Sequence, residues 1–378
     1  MTSNNTTQFP NVFYFFKGRV ALYAILKAIG IRHGDEVILP GFTCVVVPNA
    51  IVYLSAKPVY VDIDPKTYNI DASKLEEKLI QHSALSTQPK AVIVQHTYGI
   101  PADMDKIVAL TKKYNLYLIE DSCHAMGSKY KGKEVGTFGD AAFFSSQWSK
   151  PVTTGLGGWA IVSNPEIKVE VEKIYHEFID PSFKENTLLR LQYMVYSRFF
   201  KPSIFWFAQG MYRTLSSLGI ALGSSSIEEL ECKMPGGYEK RMSVWQRNLL
   251  KKKLVEMHKY IEHRKWVTSL YEKTLKEKGI ETVNLPEYYE PVFLRYPVLV
   301  KDKRKLLKEA KKKKIEIGDW FLSPIHPNLN GWEKVGYQKG SCPVAEEICQ
   351  HVINLPTHLK IGEKEVMEIV EFVSMHVS

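Results

Sequence analysis

From Gly18 the apolar positions Val20, Leu22, Ile25, Leu26 and Ile29 recur at helical spacing, and Gly30 stops the run. Strand and helix then alternate. Glu36 to Pro40 reads as extended, Val45 to Leu54 as a buried helix, and Pro58 to Asp62 as a strand. Asp71 caps a predicted helix through Ile80; Lys90 to Val94 is a strand and Asp103 to Tyr114 a helix. Leu116 to Ile119 is a buried strand that ends on Glu120 and Asp121, and Ala141 to Ser145 and Trp159 to Val162 are two more. Short β runs separated by single helices imply an α/β fold, a mostly parallel sheet with right-handed crossovers.

After Asn164 the pattern changes. Helical, aromatic-rich sequence runs to about Leu222, followed by a serine-rich turn (Gly223 to Ser226) and then PGGYEKRM. Arg241 to Lys278 reads as one long helix that Gly279 ends; Val292 to Val300 is a strand, and Gly362 to Val377 a closing helix. The Pro-Gly-Gly punctuation places a boundary near Gly236 and Gly237. The expected division is a large domain over 1–236, with a helical insert at about 165–235, and a small α+β domain over 237–378. A chain of 378 residues suits that division better than one core.

The 45% hydrophobic and 24% charged residues are those of a soluble globular protein. The net charge of +9 raises nucleic acid as a partner, so its location matters. Lys301 to Lys314 holds nine basic and two acidic side chains, most of the surplus, with no aromatic residues among them. That is a solvated helix face, not a nucleic-acid stripe. Five cysteines without a CxxC pair fit free thiols in a reducing compartment, and the N-terminus has no signal-peptide pattern, so a cytoplasmic protein is expected. Residues Met1 to Phe16 read as a polar tail and an aromatic run that packs on the body. The stretch LLRLQYMVYSRFFKPSIFWFAQGMY is interrupted by Arg190, Arg198, Lys201 and Pro202 before the ~18 apolar residues that a membrane span needs. A packing surface or substrate lid is the expectation there, ahead of membrane contact.

Candidate chemistry gathers between Asn115 and Asn164. In open α/β sheets ligands collect beyond the carboxyl ends of the strands. Asp121, His124 and Lys150 all fall at such ends or in the loop after one. A lysine able to form a Schiff base, and a carboxylate opposite a ring nitrogen, are what pyridoxal phosphate requires of a protein. Lys150 lies between Trp148 and Pro151 in an otherwise charge-free stretch between two buried strands, which sets it apart from a surface lysine. Glu120 is expected to be structural.

EDSCHAMGSKYKGKEVGTFGDAAFFSSQWSK, with GDEVILPGFTCVVVPNAI and KPVYVDIDPKTYNID upstream, resembles the DegT/DnrJ/EryC1/StrS sugar aminotransferases. The likeness runs from about Gly18 to Met375 and thins between Asn164 and Gly237. It implies a pyridoxal-phosphate transferase of fold type I, whose large domain carries a seven-stranded, mostly parallel sheet. It also implies a homodimer with sites between subunits, acting on a keto-sugar, most naturally nucleotide-linked, with glutamate as donor, in surface-polysaccharide or amino-sugar biosynthesis. By position it assigns the cofactor-bearing lysine to Lys150, the ring-nitrogen partner to Asp121, and cofactor contact to His124, with Cys123 a small neighbour of the ring. It assigns the phosphate to Ser145 and to Gly18 with Arg19. Three residues depart from the family pattern: Arg19 stands for threonine, Cys44 for a stacking aromatic and Glu239 for asparagine. Glu239 is therefore expected to turn away, leaving Lys240 or Lys17 to replace it, and His326 is a candidate for substrate or partner-subunit contact. These departures keep open a member that binds cofactor or sugar in a regulatory or scaffolding role.

Overall fold

The structure, a computed structural model, describes residues 11–85, 88–217 and 219–377. The polar tail falls on residues 1–10 and lies outside them. The first strand, β1 (Val12–Phe15), comes from the aromatic run that follows the tail. It leads into α1 (Gly18–Ala28), whose residues from Gly18 to Leu26 are all buried. The alternation then follows: β2 (Glu36–Pro40), β3 (Thr43–Cys44), α2 (Val46–Val52), β4 (Lys57–Val61), α3 (Ala72–Ala84), β5 (Ala91–Gln95), α4 (Met104–Lys113) and β6 (Tyr117–Asp121). Asp71 accepts the Ser73 and Lys74 amides, so the predicted N-cap forms, and Asp103 likewise accepts that of Lys106. A short pair, β7 (Lys129–Tyr130) and β8 (Lys133–Glu134), precedes β9 (Ala141–Ser145) and β10 (Gly158–Val162).

Seven strands make one sheet in the order β1-β10-β9-β6-β5-β2-β4. Strands β4, β2, β5, β6 and β9 run parallel; β10 and β1 are antiparallel additions. This is a mostly parallel sheet with helices on both faces. Period-two alternation assigns the faces: Val37, Leu39, Ile93 and Ile119 pack with α1 and α2, whereas Ile38, Val92, Val94 and Leu118 pack with α3 and α4. The edge strand β1 was not legible as a strand, because its aromatic residues are defined by pairing with β10 rather than by alternation of their own.

The insert contains α5 (Pro165–Glu177), α6 (Phe183–Phe199), α7 (Phe205–Ser217) and α8 (Ile227–Leu230). Next come α9 (Val244–Val255) and α10 (Met257–Glu277). The single helix expected from Arg241 to Lys278 is thus broken, at Glu256 (φ −90°, ψ 10°). In a continuous helix the buried Leu250 and Val267 would lie ~100° apart, so the break brings each apolar face against its own neighbours. The chain ends with β11 (Tyr289–Glu290), β12 (Arg295–Leu299), α11 (Lys303–Lys313), β13 (Ile325–His326), α12 (Pro343–His351), β14 (Val352–Pro356) and α13 (Glu363–Val377). β12 pairs with β14, and β11 adds to β7. β13 pairs with β3 so that His326 faces Cys44, which carries the C-terminal part of the chain to the carboxyl edge of the main sheet.

Candidate active site

The parallel register places Gln95, Asp121 and Phe143 side by side at that edge. Asp121 is buried, and burial raises its pKa against the opposing pull of the Cys123 amide and of Lys150. Its Oδ1 accepts the Cys123 N–H at 3.0 Å. Glu120, one residue earlier, points to the other face and is structural. It accepts amides from Gly136, Phe138 and Gly139 at 2.6–2.7 Å and faces His96 Nε2 at 3.1 Å. Burial alone would raise its pKa, but His96 and these amides hold it low.

Lys150 stands on the loop from β9 to β10. Ser146 N donates to Gly157 O, Trp148 N to Gly155 O, and Lys150 N to Gln147 O, at 2.9–3.1 Å. These bonds fold the loop into a tight hairpin. Ser149, just before the lysine, takes a left-handed φ of 66°, a strained conformation of the kind that surrounding structure must hold in place at a working site. The Lys150 Nζ lies 5.3 Å from the Trp320 ring centre.

His124 is buried and stacks on Trp320 at 5.5 Å and 13°. Its Nδ1 accepts the Tyr98 N–H at 3.3 Å, so the ring proton is on Nε2. Burial and the charges of Lys150 and Arg295 push its pKa well below the usual value, and the ring is neutral. Cys123 packs in the core with its thiol pKa raised by burial; its Sγ would lie 3.5 Å from a Cβ placed on Gly18. Ser145 ends β9 against the same glycine. A Cβ on Gly18 would meet Phe144 O at 3.0 Å and Ser145 Cβ at 3.1 Å, while one on Gly158 would sit 2.3 Å from the Gly18 backbone. Only glycines let the start of α1 approach the strands this closely.

The three departures resolve differently. Arg19 is buried and donates from Nη1 to Glu229 Oε1 at 2.6 Å and to Ser225 at 3.1 Å. Lys17 reaches Glu229 Oε2 at 3.3 Å. Glu229, 1% exposed, is held down to about pKa 2: burial opposes ionisation, but Arg19 and Lys17 overcome it. Glu239 pairs with Lys27 at 3.1 Å, whereas Lys240 pairs with Glu185 at 2.6 Å and lines the cavity. Cys44 lines the cavity with no ring to offer, and the aromatic surface near Lys150 and His124 comes from Trp320.

That cavity has a volume of about 1300 Å³ and is walled by Lys150, His124, Trp320, the first turn of α1, the inner faces of α6 and α7, and strand β12. Two of its residues, Arg295 and Trp320, were not singled out from the sequence as site members. Arg295 lies 5.3 Å over Trp320 and 3.7 Å from the buried Glu316, which also pairs with His358 at 3.0 Å. Its signal was a lone charge in the apolar run VFLRYPVLV. Trp320 is fixed through its carbonyl, which accepts from Tyr98 at 2.5 Å and from Asn354. Lys303 Nζ holds the next carbonyl, of Phe321, at 2.7 Å. His326 lies beside Phe321, its Nδ1 accepting from the Leu322 N–H, and burial pushes its pKa down to about 4.

A lysine whose charge acts on a buried carboxylate at the end of a parallel strand, with glycines cradling a helix start, agrees with what a sequence comparison finds. The profile of the DegT/DnrJ/EryC1/StrS aminotransferase family matches residues 14–374. The chain belongs to that family. It is a pyridoxal-phosphate-dependent aminotransferase. It is 31% identical to GDP-perosamine synthase of Escherichia coli O157:H7 over 94% of this chain and 83% of that one. To the UDP-2-acetamido-2-deoxy-3-oxo-D-glucuronate aminotransferase of Pseudomonas aeruginosa it is 28% identical, over 90% of this chain and 79% of that one. The crystal structure of a family aminotransferase from Brucella abortus superposes with a TM-score of 0.72 at 22% identity, covering 96% of this chain and 84% of that one. The fold is therefore that of the family, fold type I.

The residues present in this aminotransferase fit the cofactor. Lys150 and Asp121 are an amine and a carboxylate of the kind it requires. The Gly18–Ser145 cradle adjoins Lys17 and Arg19, whose two positive charges outnumber the one negative charge of Glu229. Among the described residues no helix is long and apolar enough to cross a membrane.

Proposed function

We propose that this aminotransferase moves an amino group from glutamate to the ketone of a nucleotide-linked sugar, in amino-sugar supply for a surface polysaccharide. The observation that carries the reading is Lys150 in the wall of a cavity that also presents Lys17, Arg19, Lys240 and Arg295, with its charge acting on the buried carboxylate of Asp121. Beyond the cations near the Gly18–Ser145 cradle, Lys240 and Arg295 in the same wall suit an anionic substrate such as a nucleotide-linked sugar. The likeness to GDP-perosamine synthase supports the sugar class.

When bound, pyridoxal phosphate supplies an aldehyde carbon that carries nitrogen and a ring that accepts electrons. Lys150 Nζ would hold that carbon and, as a free amine, would take and return the proton at the donor's Cα. Asp121 keeps a proton on the ring nitrogen. His124, neutral, offers its Nε2–H as a fixed donor. Ser145, Gly18 and Arg19 hold the phosphate, with Lys17 beside them. Trp320 and its neighbours keep water from the reacting atoms. Lys240 and His326 contact substrate, and a second copy of the chain completes a homodimer.

The test is spectroscopic. Purified protein with cofactor should show an absorbance band near the visible edge that shifts on adding glutamate alone. Lys150→Ala should abolish both band and shift. Absence of the shift in the unaltered protein would refute the transaminase reading of these residues.

A further inference from the structure

We propose that helices α6 and α7 form a docking face for an anionic lipid bilayer. The helices have two distinct sides. Inward, Tyr196 and Tyr212 both pack on Trp148, with ring centres at 5.0 and 6.3 Å, and form part of the cavity wall. Leu222 ties them together, donating its N–H to Gln192 and accepting from the Tyr212 hydroxyl. Because both tyrosines face one indole, the opposite sides of the two helices face outward together.

That outward side is apolar and open. On α6, Leu191, Met194, Val195 and Phe199 are 55, 62, 46 and 64% exposed; on α7, Phe207 and Met211 are 69 and 45% exposed. Leu191, Met194, Val195 and Arg198 follow the i, i+3, i+4, i+7 spacing of a single face. Exposed apolar side chains gathered on one side of a helix pair in this way are the mark of an interaction surface.

Charge identifies the occupant. Over residues 183–217 the basic side chains are Lys184, Arg190, Arg198, Lys201 and Arg213, all exposed; Arg213 also lines the cavity and Arg190 lies 5.6 Å over Trp245, which leaves Lys184, Arg198 and Lys201 for the outward side. The one acid, Glu185, is already taken by Lys240. A second copy packed by a two-fold axis would set this cationic patch against itself. An anionic lipid surface complements it. At 17 and 13 residues the helices are too short to span a bilayer, and their apolar side with flanking lysines and arginines suits a helix lying in the interface. The cavity wall is the other side of the same helices, so docking would bring the cavity within about one helix diameter, ~10 Å, of the lipid.

The test uses the full chain loaded with cofactor, sedimented with vesicles of phosphatidylcholine alone or mixed with phosphatidylglycerol. Binding is expected to the phosphatidylglycerol vesicles and to weaken at high salt. The exposed double substitution Met194→Glu with Phe207→Glu should reduce it at least about tenfold, while the cofactor absorbance and the thermal melting midpoint stay unchanged. Three results would each overturn the proposal: no sedimentation with phosphatidylglycerol vesicles, sedimentation that the double variant leaves intact, or a dimer in light scattering that the double variant converts to monomer. The last would make the face a contact between copies.

Discussion

Glu229 offers a measurement in which stability and cofactor affinity should move in opposite directions. Its carboxylate lies 2.6 Å from Arg19 and 3.3 Å from Lys17 and is 1% exposed. Its pKa is about 2 against an ordinary 4.5. At ~1.4 kcal/mol per unit, the ionised group contributes ~3 kcal/mol at neutral pH. A depressed carboxyl stabilises above its unfolded pKa, so this contribution disappears as pH falls from 4.5 towards 2. Lys17 runs the other way. Burial and Arg19 lower its pKa from 10.5 to about 8, so its charge costs stability at neutral pH and the cost fades as pH rises through that window.

Glu229→Gln should therefore destabilise the cofactor-free protein by ~3 kcal/mol at neutral pH, in line with breaking a buried ion pair. At about pH 10 the loss should shrink, because Lys17 is then neutral and only Arg19 remains unpaired. The same substitution adds one net positive charge beside the Gly18–Ser145 cradle. It should tighten binding of pyridoxal phosphate at least about tenfold, since each ~1.4 kcal/mol of added attraction is a factor of ten. Urea unfolding at the two pH values and absorbance titration with the cofactor read all three effects. A neutral-pH loss below ~1 kcal/mol would refute the reasoning about the ion pair. An equal loss at both pH values would refute the role given to Lys17, and weaker cofactor binding would refute the placement of the phosphate.

Asp121→Asn should leave the fold intact but lower transamination at least ~100-fold, the scale of losing a buried charge aimed at the reacting system, read as the glutamate half-reaction rate. Glu120→Gln should lower the unfolding free energy by ~2–3 kcal/mol by weakening charge-assisted bonds to three amides, with the cofactor spectrum unchanged. Trp320→Ala removes the face shared by His124, Lys150 and Arg295. Loss of stacking and cation–π contact should weaken the cofactor about tenfold in a binding titration. Unchanged affinity would show that Trp320 only packs.

What could be read along the chain was whatever local periodicity or a neighbouring cap determines. The helix from Gly18, the capped helices after Asp71 and Asp103, and the strands carrying Asp121 and Ser145 are such features. Lys150 could be singled out because a charge between two buried strands has few structural uses. The Glu229 pair could not, because it joins residues 210 positions apart and depends on how the insert returns to α1. Trp320 was hidden for a related reason. Its place is set by β13 pairing with β3 and by carbonyl contacts from Tyr98, Asn354 and Lys303, none adjacent in sequence. Cys44 alone therefore read as a missing ring, whereas in the fold an aromatic surface reaches the site from another strand connection.

One arrangement occurs twice beside the cavity, and that repetition bears on how it works. Near α1, Lys17 and Arg19 share Glu229; near β12, Arg295 and His358 share Glu316. Neither cluster is the least costly way to fill a protein interior, since apolar residues of similar volume often replace buried ion pairs without loss of stability. What each cluster supplies is a cation already stripped of water and held at a fixed place before any ligand arrives. An anionic substrate group then meets charges that need little reorganisation, which makes the interaction stronger than it would be in water. Trp320 reaches both Lys150 and Arg295, each 5.3 Å from its ring. With the α1 cluster given to the cofactor's phosphate, the Arg295 cluster is left for a substrate anion, and through Trp320 it stands close enough to Lys150 to fix a keto-sugar's reacting carbon there.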